Sequence, residues 1–171
     1  NVYSESAALR TATYYYSNKK YEFAYKFYEK LEQVASKPTT VFTAKLGLMR
    51  SAFLIDDFDK AIYYSRFILE SGGITNQIKI EGMYSSGIAN YRLGNFEEAI
   101  APLEWVVKNT TTSIGSEAKF TLAEIYFKQA KYEQADIEIK SLLKMKPSYN
   151  YWVAKGLILQ ARILIINNEL F

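Results

Sequence analysis

Apolar and small residues recur at three- and four-residue spacing along most of the chain and nowhere alternate steadily with polar ones, so the pattern predicts helices and no strands. Met83, Gly87, Asn90 and Tyr91 share one helix face. Leu93-Gly94-Asn95 interrupts it, and a second face runs through Phe96, Ala99, Leu103, Val106 and Val107 until Asn109-Thr110-Thr111-Thr112 stops it. Asn95 is a good N-cap type, and Glu98 three residues later completes a capping-box pattern. Short breaks of the same kind fall at Ser17-Asn18-Lys19, Asp56-Asp57 and Ala130-Lys131. Fuller stops fall at Ser36-Lys37-Pro38-Thr39, Ser71-Gly72-Gly73 and Lys146-Pro147-Ser148. Four helix pairs and a ninth helix over 150–166 are predicted. Pro102 falls inside the second helix of the third pair, where an interior proline costs ~3 kcal/mol, so a bend is expected there.

The second helix of each pair opens on one signature, an aromatic residue followed three positions later by alanine: Tyr21 and Ala24, Phe58 and Ala61, Phe96 and Ala99, Tyr132 and Ala135. The alanines recur at intervals of 37, 38 and 36 residues, and a fixed period in this range marks a stack of like units acting through an extended surface. The signature itself reads as packing within the stack; its value is that it fixes the phase of every other helix position.

In that phase the chain resembles the tetratricopeptide-repeat family, whose unit is a helix–turn–helix of ~34 residues. The family's small residue midway along the first helix is matched by Ala12, Gly87, Ala123 and Ala161, with Met49 departing; small residues one turn earlier are Ala7, Ala44, Gly82, Ala118 and Gly156. The closing proline is clear at Pro147 and less well placed at Pro38. The resemblance covers essentially the whole chain. It implies an all-α fold, a right-handed solenoid forming a single domain over 1–171, with units at about 4–38, 39–75, 76–112, 113–148 and 149–171. The longer period resembles repeat segments of bacterial cell-envelope proteins, which favours the periplasm or envelope over the cytoplasm. In the fifth unit Gly156, Ala161 and Ile165 match a first helix and Leu170 the post-turn aromatic position. Phe171 comes before a second helix can form, so Leu157, Leu159, Ile163, Leu164 and Ile166 are expected to lack cover. Since solenoids need polar caps, the native protein is expected to continue, or this helix to pair with another molecule, self-association through 150–166 included.

Composition narrows the chemistry. The chain has 171 residues, 49% hydrophobic and 23% charged, as a folded domain does. It contains no cysteine and no histidine, which excludes thiol nucleophiles, disulfides, Cys/His zinc sites and histidine-based triads. No cofactor or metal site is expected. The net charge of +3 is spread out, and the densest basic spot, Lys19-Lys20 with Lys26 and Lys30, is interleaved with Glu22 and Glu29; no nucleic-acid partner is expected. No window approaches the ~18 consecutive apolar residues of a membrane span, so no direct insertion is expected. The acidic pairs Asp56-Asp57 and Glu97-Glu98 could serve glycoside hydrolysis. Both sit at helix starts, however, where acids complement the helix dipole, and the chain is not expected to be an enzyme.

First helices line a concave groove in the resembled family. The resemblance therefore implies a partner-binding ladder that includes Tyr16, Arg50, Phe53, Tyr84, Tyr91, Arg92, Phe120, Phe127, Lys128 and Arg162. Aromatic rings with arginine are the usual composition of protein-recognition hot spots. The clamp by which some family members read a carboxyl terminus is absent, since Leu9 and Thr13, or Leu46 and Arg50, stand where its Lys and Asn would be. The expected function is thus a non-catalytic scaffold binding a peptide or protein. The alternative is the helical part of a glycan- or nutrient-binding surface receptor, suggested by Tyr14-Tyr15-Tyr16, Tyr21, Tyr25 and Tyr28 in the first unit.

Overall fold

The computed structural model describes residues 2–169; Leu170, read above as a post-turn position, lies outside them, as does Phe171. Among the described residues there are nine α-helices and no strand: α1 (Val2–Ser17), α2 (Tyr21–Val34), α3 (Pro38–Leu54), α4 (Phe58–Glu70), α5 (Asn76–Leu93), α6 (Phe96–Asn109), α7 (Ser113–Lys128), α8 (Tyr132–Lys144) and α9 (Asn150–Glu169). None of them is long and apolar enough to cross a membrane.

The helices form two compact units, one reaching to Leu93 and one starting at Gly94, a division that falls between the two helices of the third period. In the first unit each helix from α1 to α5 packs on the next, and α1 also meets α3, as α3 meets α5. In the second unit α6 packs on α7, α7 on α8 and α8 on α9, with α7 also against α9. The even-numbered helices carry one apolar stripe each, for example Ala24, Tyr28 and Leu31 in α2 and Ala135, Ile139 and Leu142 in α8. The signature alanines Ala24, Ala61, Ala99 and Ala135 are all 0% exposed, so the motif is packing in each pair. Met49 stands where the family pattern asks for a small residue, yet it too is fully enclosed.

Several expectations are corrected. Asn95 occupies the N-cap of α6 but makes no side-chain cap bond, so the capping box does not close. Side-chain caps do form at Asp57, whose carboxylate accepts from the Lys60 N–H, and at Thr75, whose hydroxyl accepts from the Ile78 N–H, each at 3.3 Å. Pro38 does not close a unit; it is the first residue of α3, where its fixed φ suits a helix start and no N–H is missed. Pro102, by contrast, lies inside α6 (Phe96–Asn109), where the sequence placed it. Leu159 and Ile163 do not lack cover, because α7 and α8 bury them in the core of the second unit.

One backbone feature repeats in register. Lys19, Asp56, Gly94 and Ala130, the residues at the four short breaks, all adopt left-handed φ angles of 58°, 59°, 82° and 57°. At three of them the next N–H reaches back five residues, Lys20 to the Tyr15 carbonyl, Asp57 to Ala52 and Lys131 to Tyr126, each at 2.9 Å. This is the Schellman closure, which uses a left-handed residue to satisfy the last carbonyls of a helix. Only glycine enters that region without a Cβ penalty of about 1–2 kcal/mol. Ala130→Gly is therefore expected to stabilise the second unit by about 1 kcal/mol and Gly94→Ala to cost a similar amount. Denaturant melts of the two variants should shift in opposite directions.

Tyr25 of α2 and Tyr64 of α4 are buried and share a hydrogen bond between their hydroxyls. Burial pushes the Tyr25 hydroxyl up to about 12, and burial, with the bond to Tyr25, pushes Tyr64 higher still. An unfolded tyrosine ionises near pH 10. The fold thus favours the neutral phenols, so their contribution is fully present below pH 10 and is lost as the pH rises from there through 12. Denaturant melts from pH 9 to 12 should show falling stability, and Tyr25→Phe/Tyr64→Phe should flatten that fall.

Candidate protein-binding face

In the first unit, helices α1, α3 and α5 bring five side chains together. Arg50 of α3 donates from Nη2 and Nε to a single oxygen, Glu81 Oε2, at 2.7 and 2.8 Å. The other Glu81 oxygen accepts from Gln77 at 3.4 Å. One turn along α5 from Glu81 sits Tyr84, whose ring lies 5.6 Å from that of Phe53 on α3. Phe53 also meets Phe58 edge-on at 6.3 Å. Tyr16 of α1 packs edge-on against Tyr21 at 5.4 Å; burial raises its hydroxyl pKa, and the Arg50 charge partly offsets that. All five side chains are half-buried, so the face presents ring edges and one ion pair. Tyr91 is half-buried and Arg92 exposed near the end of α5.

In the second unit Phe127 of α7 is half-buried, with the Arg162 guanidinium of α9 stacked over it at 4.7 Å and Tyr132 beside it at 5.5 Å. Lys128 is exposed, its ammonium 5.7 Å from the Phe96 ring centre. Phe120 is not on a surface: it is 3% exposed, closed over by Trp152 at 5.7 Å and by the Lys155 ammonium at 4.7 Å. It therefore drops out of the ladder. A bulky ring from the start of α9 covers it, whereas its counterpart Tyr84 keeps an open edge.

Two participants escaped the sequence reading. Glu81 lies one turn before Tyr84, outside the rows counted as ladder, and its opposite charge to Arg50 was the available signal. The cluster of Lys155 with Tyr151 and Trp152, the ammonium 5.7 and 5.4 Å from their rings, was announced by an aromatic pair three to four residues before a lysine. The tyrosines of the first pair find internal partners. Tyr15 stacks on Phe23 and Phe27 at 5.2 and 5.4 Å, Tyr25 and Tyr28 are buried, and Tyr14 alone of the Tyr14-Tyr15-Tyr16 run is exposed. The acidic pairs have structural partners as well, Asp57 at its cap and Glu97 accepting from Gln129 at 3.0 Å.

No protein-family model matches the chain, and no curated protein matches its sequence.

Proposed function

We propose that the chain is a right-handed α-solenoid of the tetratricopeptide-repeat kind and a segment of a larger bacterial protein. Its role is that of a non-catalytic scaffold, and it binds a peptide or protein partner along the face of its odd-numbered helices. The repeat reading is supported by the left-handed residue recurring at each short break in phase with the alanine signature. The binding reading is carried by one observation, the half-buried cluster of Tyr16, Arg50, Phe53, Glu81 and Tyr84 spanning three helices. Aromatic edges held rigid by neighbours offer contact area at small entropic cost. Because Glu81 already engages the Arg50 fork, recognition there proceeds chiefly through the rings, and the ion pair orients rather than anchors. The acidic pairs at the helix starts have caps and amide partners, which supports a structural role for them.

The test is partner capture by the chain and by a folded Phe53→Ala/Tyr84→Ala variant. Capture of a defined partner that falls at least tenfold in the variant supports the face as the site. Unchanged capture by a variant with native circular dichroism rejects it.

A further inference from the structure

In the first unit α3 meets a neighbouring first helix in both α1 and α5, and the Arg50–Glu81 pair at the centre of this face is only half used. Arg50 turns one edge of its fork, Nε and Nη2, to a single oxygen, Glu81 Oε2, and no other acceptor meets it among the described residues. The Nη1 edge is left with N–H groups to give. The second Glu81 oxygen, Oε1, accepts from the exposed Gln77 amide at 3.4 Å, the long limit of a hydrogen bond. The Arg50 and Glu81 side chains are 37% and 25% exposed with both neighbours of α3 in place, so a group arriving from solvent reaches both. Rings stand around the pair. Tyr84 lies one turn along α5 against Phe53. Burial raises the Tyr16 hydroxyl pKa, the Arg50 charge lowers it and the Glu81 charge raises it again, so this ring stands near both charges.

We propose that the Arg50–Glu81 pair recognises a primary carboxamide, the side chain of an asparagine or glutamine in a partner peptide; this rests on the reading of the odd-helix face as the binding face. A carboxamide carries an acceptor and a donor on one carbon. Its carbonyl oxygen accepts from the unspent Arg50 N–H groups while its NH2 donates to Glu81 Oε1 in place of Gln77. The pair as a whole is neutral, and that decides against charged partners. A carboxylate gains at Arg50 but is repelled by Glu81, an ammonium gains at Glu81 but is repelled by Arg50, and either loses hydration among the rings. An apolar side chain covers the pair without matching its donor or its acceptor. The carboxamide answers both halves and brings no charge. Gln77 already places an amide donor at Oε1 from within the chain, so a group of this shape fits there.

The experiment pans a phage-displayed library of random peptides on the full chain, then measures synthetic copies of the selected binders by fluorescence anisotropy. Their affinity is expected to fall at least tenfold in the folded Phe53→Ala/Tyr84→Ala variant, which tests the face itself. The binders are expected to share an asparagine or glutamine, and its replacement by the isosteric acid or by leucine to weaken binding at least tenfold. Glu81→Gln leaves Arg50 uncompensated and is expected to reverse the first preference, so that the acid form binds at least tenfold better than the amide. Arg50→Gln is expected to favour lysine at the same position. Ring-dependent binders that share no carboxamide, or whose preference is the same in Glu81→Gln and Arg50→Gln as in the parent chain, overturn this proposal and leave the face standing. Binders indifferent to Phe53→Ala/Tyr84→Ala overturn the face, and this proposal with it.

Discussion

Gly47→Ala is expected to destabilise the first unit by about 2–3 kcal/mol, although it replaces glycine by the best helix former in the middle of α3. Propensity alone argues the other way, by roughly 1 kcal/mol in favour of alanine. The structure decides the sign: a Cβ on Gly47 would lie 2.4–2.5 Å from three carbons of the Tyr28 ring, which packs flat against the bare backbone. Tyr28 is buried and has little room to swing aside. Removing the ring should relieve the clash, so Tyr28→Ala is expected to cost several kcal/mol alone but far less in the Gly47→Ala background. Urea melts of the four members of that cycle measure the coupling. Additive single effects would mean that the ring and the glycine do not meet.

Gly115→Ala is expected to cost about 3 kcal/mol in the second unit, and no side-chain truncation should rescue it. Here the obstacle is main chain. The Cβ would stand 2.5 Å from the Thr110 carbonyl oxygen, in the connection between α6 and α7. The Thr110 N–H is itself held by the Val106 carbonyl at 3.1 Å, so the carbonyl can withdraw only by opening that connection. Gly156→Ala makes a useful contrast, because its nearest neighbour is the flexible Leu142 side chain at 3.1 Å. Its effect should be small. A chemical denaturation series on the three glycines thus separates a buried ring, a fixed carbonyl and a yielding leucine.

The helices, their order and their turns were legible because one pattern repeats: the aromatic-to-alanine signature recurs in phase, and Ala24, Ala61, Ala99 and Ala135 all proved to be core. The left-handed turns were only half legible. Gly94 announces its conformation, but Lys19 and Ala130 adopt it because closing the preceding helix outweighs their preference. The candidate face was legible as a set of positions but not as a surface. Phe120 and Tyr84 hold equivalent places, yet Phe120 is buried because α9 lays Trp152 over it. Such depth is a property of neighbours some thirty residues away. The Arg50–Glu81 pair was missed for the same reason, as it joins two helices whose faces periodicity locates only separately.

The central claim is that this chain works through the odd-helix face, and site-specific photo-crosslinking in the cells that make it tests this most directly. A benzophenone amino acid placed at Tyr84 reports on the half-buried face, and one at Tyr63, exposed on α4, reports on an even-numbered helix. The account predicts a discrete partner adduct from position 84 and none from position 63. An adduct from position 63 with none from 84 would contradict it.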